Sequence, residues 1–237
     1  MILFFLQIPV PSDSLGLDLV QSTNPVEKTL SIIDLITSGG LGGQMIMSTL
    51  AILSILTVYF FLERLQVINK AMKESPNFMS KIKDYLSDNK LDSVVEICHR
   101  SSTPVAHMIA KGVLLKKGKR RDVQEAMERQ GNLEIYRLEH NLASLATIAG
   151  AAPMIGFLGT VIGMILAFHE MASAGGQIDV EMLSKGIYTA MTTTVAGLIV
   201  GIVAYLAYNN LVVKVTQATF KMEQATVDFL EMLHLEN

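Results

Sequence analysis

The sequence predicts an all-α polytopic membrane protein with three spanning helices, two of them extended into a helical bundle outside the bilayer. Three observations predict it. Charged residues are 17% of the 237-residue chain and mean hydropathy is +0.40, whereas soluble domains carry about 25% charge. The charges are excluded from three windows: residues 45–62 (18 residues), 141–168 (28) and 186–213 (28). Elsewhere apolar residues recur at helical spacing, and no alternating β pattern of useful length occurs.

A bilayer core of about 30 Å takes roughly 20 helical residues, so each window is long enough to span, the first only just. Glu63 and Arg64, His169 and Glu170, and Lys214 stop the three windows. The same composition excludes other classes. A net charge of −3 gives no global electrostatic case for nucleic acid. The lone Cys98 excludes a disulfide framework and a cysteine-based zinc site.

In chain order, residues 1–43 form an N-terminal segment on the outer side. Residues 1–10 are apolar but short, with Pro9 and Pro11 behind them, no basic start and no small-residue cleavage site. They read as an uncleaved interfacial segment. Residues 25–37 place Val26, Leu30, Ile33, Leu35 and Ile36 at the spacing of an amphipathic surface helix. Gly39, Gly40, Gly42 and Gly43 should end it and permit a sharp turn into the first span, 44–63.

Residues 64–140 read as a helical segment. Phe78, Ile82, Tyr85 and Leu86 make one stripe, and Leu91, Val94, Val95 and Cys98 another. Pro104 starts a helix through Leu115. After a basic turn, Asp122 should cap the next helix, with Glu125 three residues on as in a capping box. With only Gly131 as a breaker, that helix is expected to run on through the second span, 141–170, as one element over 122–170. A short outer loop, 171–183, leads to the third span, 184–213. The third span continues into a C-terminal helix, 214–237, striped by Met222, Ala225, Phe229, Met232 and Leu233.

Residues 63–140 hold 15 of the 19 Lys and Arg residues, and the C-terminal tail adds Lys214 and Lys221. Positive-inside counting therefore puts that segment and the C-terminus in the cytoplasm and the N-terminus outside.

No enzyme constellation emerges. Gly112 to Lys119 superficially resembles a phosphate-binding loop, but its spacing is one residue too long, no Ser or Thr follows the Lys, and no strand precedes it. Lys116, Lys117, Lys119, Arg120 and Arg121 read as a solvated positive-inside turn. The five His residues lack partners at metal-ligand spacing, so neither metal nor cofactor is expected.

The spans carry the informative pattern. Gly156, Gly159 and Gly163 in the second and Gly197 and Gly201 in the third make small-xxx-small faces that let helix backbones approach closely in lipid. Pro153 should kink the second helix. Thr160 lies mid-span in the second helix, and Thr189, Thr192, Thr193 and Thr194 crowd the third. Thr189, Thr192 and Thr193 are expected to share one face, with Thr194 turned toward the small residues. Any single Thr can bond its own helix and need no function, but five in two adjacent helices suit the lining of a narrow passage. No charge-free window contains Asp, Glu, Lys, Arg or His, so a proton relay would need a titrating group from a partner.

The run Ala152-Pro153-Met154-Ile155-Gly156-Phe157-Leu158-Gly159-Thr160-Val161-Ile162-Gly163, together with Gly186-Ile187-Tyr188-Thr189-Ala190-Met191-Thr192-Thr193-Thr194-Val195-Ala196-Gly197-Leu198, resembles the MotA/TolQ/ExbB proton channel family, closest to its ExbB and TolQ branches. The resemblance covers about residues 45–235. It implies a homopentamer in the bacterial inner membrane whose second and third spans line a pore. It also implies a dimer of ExbD- or TolR-like single-span partners inside, each carrying a membrane Asp, and work passed on through a TonB-like or Pal-linked element. By position it makes Thr160 and Thr194 the pore threonines. Thr189 stands where ExbB and TolQ carry a pore Glu, a departure that removes a charge near the partner's Asp. Thr160, Thr193 and Thr194 are expected to hydrogen-bond that Asp or a water beside it.

Overall fold

Seven helices build the part of the chain that the computed structural model describes, residues 40–73, 77–116, 118–173 and 180–235. They are α1 (Gly40–Met72), α2 (Phe78–Ser87), α3 (Leu91–Arg100), α4 (Pro104–Leu114), α5 (Arg120–Glu139), α6 (Leu142–Ser173) and α7 (Val180–Leu235). The all-helical class is as the sequence predicts, and three helices are long and apolar enough to cross a membrane. The N-terminal segment with its surface helix over 25–37, and residues 174–179 of the outer loop, lie outside the described residues.

The glycine-rich stretch is a correction. Gly40 to Gly43 do not turn the chain into the first span; they are already its first helical turn. A Cβ on Gly42 would lie 3.5 Å from Ile162 of α6, and one on Gly43 would lie 3.6 Å from Thr189 of α7. Glycine here brings the start of α1 close to both other spans. Further along, Leu50 is buried with Ile148, Ala152 and Ala204, and Ile68 with Leu145 and Leu211.

Helix α7 runs unbroken for 56 residues, about 84 Å at 1.5 Å per residue. Its first half pairs with α6 and its second half enters the polar bundle. There Phe229 shares one core with Ile82 of α2, Val94 of α3, Ile109 of α4 and Met127 of α5. The fit leaves no room at Gly112, where a Cβ would come within 2.7 Å of the Phe229 ring and 2.8 Å of the Met127 sulfur.

Thr103 caps α4, its hydroxyl accepting the Ala106 amide at 3.4 Å, with Pro104 in the first turn. The start of α5 corrects the expected cap. The helix begins at Arg120, so Asp122 is its third residue, and its carboxylate accepts the Lys119 amide at 3.3 Å. Glu125 pairs instead with Arg121 at 3.0 Å.

A third correction concerns the expected continuous helix over 122–170. It is broken at His140, which is extended (φ −52, ψ 137), and at Asn141, which is left-handed (φ 65). Neither Gly nor Pro stands there. The break is held from outside by α1, as described below.

Candidate functional site

Helices α6 and α7 pack antiparallel through a ladder of small residues. From one end to the other, Gly186 meets Ala167, Ala190 meets Gly163, Thr193 meets Gly159, Gly197 meets Gly156 and Gly201 meets the ring of Pro153. The contact residues on α7 recur at intervals of three and four, which keeps them on one face of the helix. Approach is closest in the middle, where Gly156 and Gly197 touch backbone to backbone. Gly156, Gly159, Gly163, Gly197 and Gly201 all fall in this contact. Pro153 sits inside α6. It offers no N–H to the carbonyl of Ala149, and its ring fills the space above Gly201.

The hydroxyls sort by this ladder. Thr193 is 1% exposed; its Oγ1 reaches the Gly156 carbonyl at 3.2 Å and the Ala190 carbonyl at 2.7 Å. It therefore belongs to the small-residue face, which corrects its expected place beside Thr189 and Thr192. Thr194 Oγ1 donates to the same Gly156 carbonyl at 3.0 Å. Thr160 follows Gly159, the partner of Thr193, and bonds the Phe157 carbonyl of its own helix at 2.6 Å. So Thr160, Thr193 and Thr194 gather at one level of the pair. Thr192 bonds the Thr189 carbonyl at 2.8 Å. Thr189 lies about 6 Å further along α7, and its methyl faces Gly43 of α1. Its buried Oγ1 has no hydrogen-bond partner among the described residues.

A second polar cluster, which the sequence did not reveal, lies where α1, α5 and α6 meet. Arg64 is 7% exposed; its guanidinium binds Glu63 at 2.6 Å and donates from Nη1 to the Arg137 carbonyl at 3.1 Å. Glu63 also accepts the Asn141 side-chain amide at 3.3 Å. On the bundle side, buried Glu134 takes Gln130 at 2.9 Å, Arg137 at 3.0 Å and His107 of α4 at 3.1 Å, all on one oxygen. The signal for this cluster is long-range: Glu63 and Asn141 are 78 residues apart. Among the described residues, no group of three His, Cys, Asp or Glu side chains is gathered as metal ligands would be.

The model of the MotA/TolQ/ExbB proton channel family matches residues 100–224, which include α4, α5 and the paired spans. The chain is 26% identical to a biopolymer transport protein ExbB homolog of Methanothermobacter thermautotrophicus, over 81% of this chain and 67% of that one. It is 27% identical to the Tol-Pal system protein TolQ of Haemophilus influenzae, over 86% of this chain and 94% of that one. A shorter match, 39% identical over 77 residues, joins it to the biopolymer transport protein ExbB of Helicobacter pylori, covering 32% of this chain and 52% of that one. With three apolar helices, these similarities make it a membrane protein.

Proposed function

The chain belongs to the MotA/TolQ/ExbB proton channel family, and from that membership we propose that it is the channel subunit of an inner-membrane motor. In this reading it converts the proton-motive force into mechanical work for outer-membrane transport or envelope maintenance, and it is not an enzyme. Five copies surround a dimer of single-span partners similar to ExbD or TolR. A TonB-like protein or a Pal-linked element receives the work.

The observation that carries the reading is the level of hydroxyls formed by Thr160, Thr193 and Thr194 in charge-free windows that hold no Asp, Glu, Lys, Arg or His. Hydroxyls can orient a proton carrier or its water, but they do not titrate near neutral pH. The titrating group is therefore the partner's membrane Asp, and this chain supplies its polar surroundings. The concentration of 15 of the 19 basic residues between 63 and 140 supports a cytoplasmic bundle and C-terminus and a periplasmic N-terminus. Thr189 in place of the family's Glu leaves the passage without a fixed charge of its own.

Native mass spectrometry of the tagged protein, gently extracted from its own membrane, tests the assembly. The same complex in liposomes tests proton flux. We expect five copies with two of a small Asp-bearing protein, and a proton flux lost when that Asp becomes Asn. A partnerless assembly that passes no protons would make the chain a structural scaffold and overturn the reading.

A further inference from the structure

The joint between α5 and α6 is held by side chains of another helix. Residues 136–146 contain no Gly or Pro and are mostly good helix formers, with Asn141, after Arg137 and His140, as the single residue there that suits a helix end. In a continuous helix the Arg137 carbonyl would accept the amide of Asn141, four residues on. Instead that carbonyl accepts Nη1 of Arg64, a donor 73 residues away on α1. The Asn141 side chain turns to Glu63, the neighbour of Arg64, and its backbone takes a left-handed conformation that Asn tolerates better than other non-glycine residues. The guanidinium thus occupies the acceptor that would close the helix.

We propose that this joint is a two-state hinge latched by Arg64. In the latched state α5 and α6 are separate helices with an elbow at His140 and Asn141. In the released state the Arg137 carbonyl takes back the Asn141 amide, and the two become one rod. Helix α7 lies beside both and is unbroken. Closing the elbow would therefore re-aim α6, with Thr160 on it, against the bundle that holds Glu134. The helix formers of residues 136–146 favour the rod, whereas Asn141 and the contacts from α1 favour the elbow, and such a balance is what a bistable element requires. Burial of Arg64 between the spans and the bundle ties the latch to movement of α1.

Hydrogen exchange of the full-length protein in lipid nanodiscs reads the joint directly and does not depend on the motor reading. In the latched state the amides of residues 141–144 stand at a helix start with no carbonyl of a preceding turn to serve them. Arg64→Ala should release the latch and slow their exchange about tenfold or more. Asn141→Ala, which disfavours the left-handed conformation, should slow them as well. Asn141→Gly, which tolerates it, should leave them as in the wild type. If Arg64 only packs the joint, its loss will fray the elbow and speed exchange. Unchanged or faster exchange in Arg64→Ala would overturn the hinge. Should that variant fail to assemble, Asn141→Ala decides: slower exchange supports the hinge, and the same or faster exchange overturns it.

Discussion

Gly156 of α6 and Gly197 of α7 touch through their backbones: a methyl group on Gly156 would come within 3.0 Å of the Gly197 Cα, and one on Gly197 within 2.8 Å of the Gly156 Cα. Neither position can hold a side chain without parting the helices. Gly156→Ala and Gly197→Ala should each cost about 1–3 kcal/mol. Because they intrude on one contact, the double variant should cost less than their sum. Gly150→Ala is the contrast. A Cβ there meets nothing within 4 Å, so helix propensity should make it neutral or slightly stabilising. Melting temperatures of the purified protein would check the order, and strict additivity of the pair would contradict a shared contact.

Cys98 should be chemically silent in the folded protein. It is 1% exposed in the bundle core, and burial pushes its thiol up to about 11. At pH 7 only on the order of one thiol in ten thousand is ionised, and the thiolate is the reactive form. Maleimide should leave the native protein unlabelled and label it fully after denaturation. Prompt labelling of the native protein would mean that the α3 core opens.

The spans and the stripes of the bundle were legible because they follow from local composition. Missing charge marks α6 and α7, and Ile82, Val94 and Met222 are buried where their spacing puts them. Other features were read differently from the structure, among them the place of Thr193 and the break at Asn141. Thr193 was grouped with Thr189, although seven residues after Gly186 and four before Gly197 it lies on the small-residue face that forms the helix contact. That spacing was the available signal. The break at Asn141 had only a weak local signal, an Asn after Arg137 and His140, and its contacts to Glu63 and Arg64 come from another helix.

Glu134 should matter more than its histidine partner. Its carboxylate is buried and takes three donors from α4 and α5, while His107 keeps 40% of its side chain exposed. Hydrogen bonds to a buried charged group are worth about 1.5–3 kcal/mol each, but the exposed donors regain water when they are released. Glu134→Ala should therefore lower the melting temperature clearly, with a cost of about 2 kcal/mol. His107→Ala should cost less than about 1 kcal/mol. Equal losses would place the stabilisation in the His107 contact instead.

Thr160 separates a role in transport from a role in packing. Its hydroxyl bonds only the Phe157 carbonyl of its own helix, and the side chain is not buried in the α6–α7 contact. Valine keeps its β-branched outline and removes only the hydroxyl. Thr160→Val should therefore express, fold and assemble as the wild type does. Thr193 is the opposite case, fully inside the contact with its hydroxyl between two carbonyls. Thr193→Val should disturb the helix pair itself and lower the melting temperature by an amount that reflects a net hydrogen bond, about 1 kcal/mol. If the hydroxyl of Thr160 serves a proton carrier in the passage, Thr160→Val should abolish proton-driven transport with assembly intact. The check is to measure transport and subunit assembly on the same preparation. Normal transport in a properly assembled Thr160→Val protein would remove Thr160 from the proton path and leave its hydroxyl as a local helix contact.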